Sequence, residues 1–289
     1  NTDGIIFKTG SSPSERLRID SSGRVLIGTN SSRGGNFNNS SGVDAQFQLE
    51  GTSFITAFAN IVRNSNDENP AGFAISKSRG TSAGSNTVLQ NNDIIGEFAF
   101  QGSDGSKMVS AADIECQIDG TPGSADMPGR LIFSTNAGGT GTTERLRITS
   151  GGDVGIGTTV PDALLHVFTN TSSSETSEPV AIFECDTSSG GDVSIRLEGG
   201  ASSNPDEIYV EFCDKDDSSN SWAIGLDDDA GHLYIGNGTK GTMNSHTQIK
   251  FNKAGGANFS GIATATQLFE GSSRVATAGK AVAMALVFG

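Results

Sequence analysis

Short runs of alternating apolar and polar residues dominate this chain. In the run IECQI, for example, Ile114, Cys116 and Ile118 occupy every second position. Alternation with a period of two is typical of a β-strand that buries one of its faces. These runs are separated by turns rich in Gly, Ser and Asp, and no stretch sustains the 3.6-residue period of a helix. The pattern therefore predicts an all-β protein with very little helix.

A 16-residue segment occurs twice in the sequence. ERLRIDSSGRVLIGTN begins at Glu15, ERLRITSGGDVGIGTT begins at Glu144, and 11 of the 16 positions are identical without a gap. Each copy predicts a strand, a Ser/Gly turn whose glycine supplies a positive φ, and a second short strand. We expect the two hairpins to superpose closely, with Ile27 and Ile156 in equivalent buried positions.

Four arginines occupy the polar positions of the repeated strands. They alternate with Leu and Ile, so they are expected on the face opposite to the buried one. The chain has a large excess of carboxylates, and we expect these to pair with the arginines across strands or across chains. The residues concerned are Arg16, Arg18, Arg145 and Arg147.

Further predicted strands surround the hairpins in two similar series. The first series is DAQFQLE, TAFANIVRN, GFAISKSRG, IIGEFAFQG, ADIECQID and RLIFST, closed by ERLRI with DVGIGT. The second is ALLHVF, VAIFECD, VSIRLEG, EIYVEFCD, SWAIGLD and HLYIGN, closed by TQIKF with ANFSGI. We therefore predict four parts: an N-terminal hairpin cassette at 1–43, a first β module at 44–161, a second, acidic β module at 162–263 and an apolar tail at 264–289.

The apolar content is low for a chain of this length. Only 34% of the 289 residues are apolar, and 39 are glycines, which bury no side chain. A short strand with one apolar face and an open edge is not stable by itself. Three identical chains wound together would cover these faces and edges. We therefore expect sandwich-like or prism-like modules in an elongated, intertwined homotrimer.

The net charge of −14 excludes some partners. Residues 1–160 carry 12 basic and 16 acidic groups, and residues 161–289 carry 7 and 17. A field of this sign repels phosphate backbones and anionic lipid, so neither nucleic acid nor a membrane is expected as a partner. No signal peptide is visible. The longest apolar run, 281–288, is too short to cross a bilayer and is equally compatible with a strand or a helix.

Glycine and histidine patterns give no cofactor site. The run GGDVGIGTT lacks the Lys and the following helix of a phosphate-binding loop, so it predicts a turn. The three histidines, at 166, 232 and 246, lack metal-ligand spacing with one another or with the three cysteines. The odd, widely spaced cysteines do not form a disulfide framework, and Cys116 is expected to be a small core residue.

Acidic turns near residue 220 are the one candidate for metal binding. Calcium prefers oxygen-rich loops, and two predicted hairpin turns would bring carboxylates together there. The turn DKDDSS lacks the glycine of an EF-hand loop, and the alternative is that these side chains are solvated and keep the protein soluble. The candidate calcium ligands are Asp214, Asp216, Asp217, Asp227, Asp228 and Asp229.

Catalytic residues are not expected. No nucleophile, base and orienting group fall together in a motif, and no pair of carboxylates stands out as a glycosidase would require. Aromatic platforms for sugar rings are scarce, since there are only one Trp and two Tyr. Trp222 alternates with Ile224 and is expected in the core.

Several runs of the sequence resemble modules of phage tail-fibre and other virion structural proteins. These runs are GRLIFSTNAGGTGTTERLRITSGGDVGIGTTVPDALLHV, SKSRGTSAGSN and DGTPGSADMPGRLIFST, and the ending GIATATQLFEG with AGKAVAMALVFG is similar to C-termini of the same group. The most similar modules are those of marine phages that infect cyanobacteria. The resemblance is strong over most of 1–168 and looser beyond. It implies a trimeric fibre and does not imply catalysis.

Many proteins of this group end in an intramolecular-chaperone peptidase domain, which trims itself after the trimer folds. No Ser/Lys pair in that context occurs near the C-terminus here. Because the chain begins at Asn1, we expect it to be a fragment or a processed part of a longer protein.

The expected function is a non-enzymatic one in a virus particle. The chain would be a trimeric spacer or adhesion scaffold in a phage tail fibre or related appendage, without a cofactor. Its partners would be its own copies, other tail or baseplate proteins and a host-surface polysaccharide. The alternatives are a receptor-binding tip that grips host glycan, a head or collar decoration fibre, and a polysaccharide depolymerase.

Overall fold

The computed structural model shows an all-β protein, as the sequence predicts. It describes residues 4–33, 44–169, 181, 195 and 197, and the strand segments 208–213, 221–227, 232–238, 247–251, 257–259, 267–270 and 273–277. Within these residues, the 3₁₀ turn Phe54–Thr56 is the only helical segment. No helix in the described part of the chain has the length and apolar character needed to span a bilayer.

The chain divides into two compact units, residues 1–182 and residues 183–289. The strands described in the first unit are β1 Ile5–Thr9, β2 Ser14–Ile19, β3 Val25–Ile27, β4 Phe47–Leu49, β5 Ile94–Ser103, β6 Met108–Ile118, β7 Gly129–Thr135, β8 Thr143–Ile148, β9 Val154–Ile156 and β10 Leu165–Val167. Those described in the second unit are β11 Ile208–Cys213, β12 Ser221–Asp227, β13 His232–Gly238, β14 Thr247–Phe251, β15 Ala257–Phe259, β16 Gln267–Glu270 and β17 Ser273–Thr277.

Two separate sheets form the first unit. One has the strand order β1-β2-β3-β4 and the other has the order β10-β9-β8-β7-β6-β5. Neighbouring strands are antiparallel, except that β3 pairs with β4 and β9 with β10 in parallel. In the second unit, β11 to β15 form an antiparallel sheet in sequence order, and β16 and β17 form a hairpin. Every paired strand is thus next to its partner in sequence.

The duplicated segment builds a duplicated structural cassette. Leu17 is paired with Ile27 in one copy, and Leu146 is paired with Ile156 at the equivalent positions of the other. The equivalence extends to the strand before the hairpin, where IIFKT of β1 corresponds to LIFST of β7. It also extends to the parallel strand that follows. The repeat is therefore a four-stranded unit, β1–β4 and β7–β10, larger than the 16 residues that reveal it.

A β-bulge recurs at the same place in both cassettes. The register between β1 and β2 passes from Leu17 to Glu15 and leaves out Arg16. The register between β7 and β8 leaves out Arg145 in the same way. An extra residue shifts the alternation of faces by one position. The Glu and the second Arg of each ERLR run therefore lie on one face, although a regular strand would place residues three apart on opposite faces.

Two predicted strands of the first unit do not pair within the chain. Residues 56–64 and 72–80, the runs TAFANIVRN and GFAISKSRG, are described but belong to no sheet. The predicted strands at 180–186 and 193–199 fall outside the described residues apart from single positions, as does the tail segment 281–288. The remaining predicted strands are confirmed, from β4 at Phe47–Leu49 to β15 at Ala257–Phe259.

A glycine ends the hairpin of each cassette because the parallel strand comes close to it. Gly28 and Gly157 have φ values of +78° and +73°. A Cβ at Gly28 would collide with the carbonyl oxygen of Glu50, and one at Gly157 with that of Phe168. Glu50 and Phe168 are the residues whose N–H groups close the parallel pairing, over 2.9 Å and 2.8 Å. The glycine thus permits the fourth strand to dock.

We predict that Gly157→Ala destabilises the protein by about 3 kcal/mol or more. The left-handed backbone costs an L-residue about 1–2 kcal/mol, and the collision with Phe168 adds an overpacking cost of roughly 1–3 kcal/mol. Gly152 is the matched control, because its φ is +90° but nothing lies within 4 Å of its added Cβ. Urea unfolding followed by circular dichroism gives the comparison. Equal losses for Gly152→Ala and Gly157→Ala would contradict the close approach.

Candidate interaction surface

Apolar residues of the six-stranded sheet line up in two rows. Directly paired residues on neighbouring strands lie on the same face of a sheet. The registers place Gly96, Cys116, Leu131, Ile148, Val154 and Leu165 in one row, and Phe98, Ile114, Phe133, Leu146, Ile156 and Val167 in the other. Both rows cross all six strands, so one face of the sheet is apolar from edge to edge. We call it the apolar face.

The four-stranded sheet has an apolar face of the same design. Its rows are Ile5, Ile19, Val25 and Phe47, and Phe7, Leu17, Ile27 and Leu49. They occupy the positions equivalent to Leu131, Ile148, Val154 and Leu165, and to Phe133, Leu146, Ile156 and Val167. Both cassettes therefore present the same pattern of large aliphatic and aromatic side chains.

The apolar faces are only partly covered in the single chain, where Phe73 contacts Phe98 and Ile75 lies over Gly96. Phe7, Phe47, Phe98 and Leu165 expose 52%, 61%, 54% and 62% of their surface. Burying one such side chain contributes about 1.5–3 kcal/mol. A contiguous exposed apolar surface of this size on a soluble protein marks an interaction site. The apolar faces are accordingly the candidate functional surface of the first unit.

The opposite face of each sheet is better buried, because the chain's own loops cover it. Leu26 of β3 is 1% exposed and Ile132 of β7 is 7% exposed. In the first cassette the loop after β3 turns back over this face. There the Gln48 amide donates to the Ser32 hydroxyl over 2.9 Å and accepts the backbone N–H of Arg33 over 3.1 Å. The loops thus leave the apolar side open.

The predicted burial of Ile27 and Ile156 is wrong for a single chain. Their positions are equivalent, as expected, but Ile27 is only half-buried and Ile156 is 38% exposed. The buried positions are their neighbours Leu26 and Gly155, which point to the loop-covered face. The alternation thus assigns the residues to the two faces correctly. In the isolated chain, however, the loops cover the face opposite to Ile27 and Ile156.

A glutamate–arginine pair recurs on the loop-covered face of both cassettes. Arg18 donates to Glu15 from Nε over 2.7 Å and from Nη2 over 2.8 Å. Arg147 donates to Glu144 over 2.6 Å and 2.8 Å, and its Nη1 also donates to the Thr159 carbonyl over 2.8 Å. The hydrogen bonds from Arg18 lower the pKa of Glu15, and Glu144 raises the pKa of Arg147. Each bulge is held by two parallel charge-assisted hydrogen bonds.

The arginine prediction is therefore only partly correct. Arg18 and Arg147 form ion pairs with carboxylates of their own strand, whereas pairing across chains stays a prediction. The bulge explains the difference, since it brings the Glu and Arg of one strand together. Arg16 and Arg145 instead donate to the hydroxyls of Thr9 and Thr135, over 3.2 Å and 3.1 Å.

Three carboxylates lie together where β5 pairs with β6. Glu97 is directly opposite Glu115, and Asp113 lies two residues along β6 on the same face. Loss of hydration, together with the negative charges of Asp113 and Glu115, raises the pKa of Glu97. Among the residues that the structure describes, no group of three or more His, Cys, Asp or Glu side chains is arranged to hold a metal ion.

The candidate calcium ligands lie almost entirely outside the described residues. Asp214, Asp216, Asp217, Asp228 and Asp229 are not described, and Asp227 is described only as the last backbone position of β12. The calcium site therefore stays a prediction. Of the histidines, His166 lies 3.0 Å from Asp162, and His232 begins β13.

The second unit also presents apolar residues along paired strands. The register places Val210, Ile224, Ile235, Ile249 and Phe259 in line, with Phe212 opposite Trp222 beside them. Trp222 is in phase with Ile224, as the alternation indicates, but the two are 49% and 43% exposed. The expectation of a core tryptophan is not met within one chain, where Ala223 on the other face is buried at 7% exposure.

Comparison with known proteins identifies a fold and not a family. No family model and no curated protein matches the chain. The carboxy-terminal domain of the bacteriophage T5 L-shaped tail fibre, solved with its intramolecular chaperone domain, is similar with 15% identity and a TM-score of 0.52, over 76% of this chain and 69% of that one. Another structure of this T5 domain gives 16% identity and a TM-score of 0.47, over 75% and 95%. The first likeness shows a shared all-β fold.

Proposed function

We propose that this protein is a structural segment of a phage tail fibre, in which three copies of the chain turn their apolar faces towards a common axis. The observation that carries the proposal is the pair of apolar rows that cross each sheet of the first unit and stay largely exposed in one chain. The likeness to a T5 tail-fibre domain and the resemblance of the GIGT segments to phage fibre modules support a place in the tail.

Further copies of the chain fit the uncovered face well. A sheet that is apolar on one side and covered by loops on the other needs one more layer to close a core. Six strands spaced by about 4.8 Å give a wall roughly 25–30 Å wide. Three such walls around an axis would form a prism with a dry interior. Two sheets face to face would also cover the rows, and the resemblance to fibre modules favours three.

As a fibre segment the protein would act mechanically. It would be a spacer or adhesion scaffold that holds a host-attachment part at a distance, and its partners would be its own copies and adjoining tail or baseplate proteins. The net charge of −14 suits this role. Carboxylates on the outer surface keep neighbouring fibres apart and hydrated.

We predict that Ile156→Asp abolishes the trimer. The residue lies within an apolar row, so assembly would bury three unpaired carboxylates, each at a cost of several kcal/mol. Val160 is the matched control: it is another β-branched residue, 76% exposed and outside the rows. Sedimentation at micromolar concentration should give a trimer for the natural protein and for Val160→Asp, and a monomer for Ile156→Asp. A monomeric or dimeric natural protein, or a trimeric Ile156→Asp variant, would contradict the proposed assembly.

We further propose that the protein has no catalytic step, although Glu97 has the raised pKa of a general acid. Loss of hydration and, after it, the charges of Asp113 and Glu115 explain that pKa without a substrate. The purified protein and the Glu97→Gln variant should both release no reducing sugar from host envelope polysaccharide, measured against a buffer control. Release by the natural protein that disappears in Glu97→Gln would identify a depolymerase.

A further inference from the structure

An uncovered segment separates the two cassettes of the first unit. We call residues 57–78, between the 3₁₀ turn Phe54–Thr56 and Arg79, the arm. It contains two runs whose sequence predicts strands, AFANIVRN at 57–64 and GFAISKS at 72–78, yet neither belongs to a sheet in the single chain. Of all the described residues, these depart furthest from the secondary structure that the sequence predicts.

Large apolar side chains of the arm stay largely exposed in the single chain, although Phe73 and Ile75 touch β5. Phe58, Ile61, Val62 and Phe73 are 58%, 59%, 67% and 72% exposed. Every residue from 51 to 77 is exposed. A segment that stays in solvent does not need large apolar side chains. The composition of the arm therefore indicates that a partner surface covers it.

Backbone groups of the arm are equally unpartnered. No backbone–backbone hydrogen bond involves residues 57–78, all of which are described. The bonds within the arm are confined to a polar turn, where Arg63 donates to Asp67 over 2.6 Å. A stretch of this length without secondary structure is unusual in a compact domain. The arm has unpaired backbone N–H and C=O groups and two runs of alternating apolar and polar residues. Both features are typical of a β-strand without a neighbouring strand.

The arm nevertheless leaves the sheet at a fixed point. Arg79 donates to Asp93 from Nε over 2.6 Å and from Nη2 over 2.8 Å, and Lys77 lies 3.4 Å from the same carboxylate. Asp93 is 8% exposed, and the hydrogen bonds from Arg79 lower its pKa. Phe73 also stacks on Phe98 of β5, with ring centroids 6.2 Å apart. The C-terminal end of the arm therefore lies beside the rim of the apolar face.

We propose that residues 57–63 and 72–78 become β-strands by pairing with an open sheet edge of a neighbouring copy of this chain. This inference rests on the assembly proposed above. The chain itself supplies suitable edges: β1 and β5 end their sheets, and each pairs along only one side. A second copy is the fitting partner because a trimer brings its edges close to the apolar face, where the arm is anchored.

Amide hydrogen exchange on the assembled protein tests the proposal. Amides of 57–63 and 72–78 should exchange at least about 100-fold more slowly than those of the intervening turn at 65–70, and Ile156→Asp monomers should lose this protection. A particle of trimer mass with an unprotected arm would overturn the inference and leave the assembly standing. Protection that persists in the monomer would also overturn it, and a monomeric natural protein would overturn both.

Proline substitution gives an independent readout. Ala59→Pro and Ala74→Pro remove an N–H from the proposed strands, and neither position makes a backbone hydrogen bond in the single chain. Both should raise the dissociation rate of the trimer by roughly tenfold or more, with an unchanged circular dichroism spectrum of the monomer. Asn66→Pro, in the polar turn, is the matched control and should change the rate less than about twofold. Equal rates for all three variants would contradict strand pairing.

Discussion

The apolar face of the sheet is the constraint on which the rest of this structure depends. Each cassette builds a sheet from short strands, and a single layer can cover only one of its faces with its own loops. In both cassettes the loops fold over the side that carries the glutamate–arginine pair, where Leu26 and Ile132 become buried. The side with Leu131, Phe133 and their neighbours stays largely exposed in the single chain and is the surface that we propose for assembly. Under the proposed assembly, the stability of the folded chain therefore depends on its association with further copies.

The local devices of the cassette serve this division of faces. The bulge at Arg16 or Arg145 rotates the end of the strand, so that Glu15 meets Arg18 and Glu144 meets Arg147 on the loop side. Charged groups are thereby removed from the apolar rows. The glycine after each hairpin then admits the parallel strand, which adds one more apolar residue to each row. The same sequence motif recurs because the same geometry is needed twice.

Much of this architecture follows from the sequence. Period-two alternation and Gly-rich turns locate most strands, and the 11 identities between the two ERLRI segments predict one hairpin geometry for both. The sequence does not show which face of each sheet the loops cover. Ile156 and Leu26 are both apolar but lie on opposite faces of equivalent hairpins, and only the position of the loops determines which face is buried. The bulge leaves only a weak trace in the sequence, where Glu15 and Arg16 are two adjacent polar residues before the regular alternation of RLRI. The predicted strand at 57–64 finds no partner in the single chain, and alternation alone does not identify one.

The orientation of the apolar rows in the assembled particle tests this account most directly. A density map of the purified protein, at a resolution that separates strands and shows large side chains, would reveal it. The account predicts three-fold symmetry, with the rows that contain Leu131 and Phe133 facing the axis and no solvent between the three sheets. A particle in which these rows face bulk solvent, or one whose symmetry is not three-fold, would contradict it.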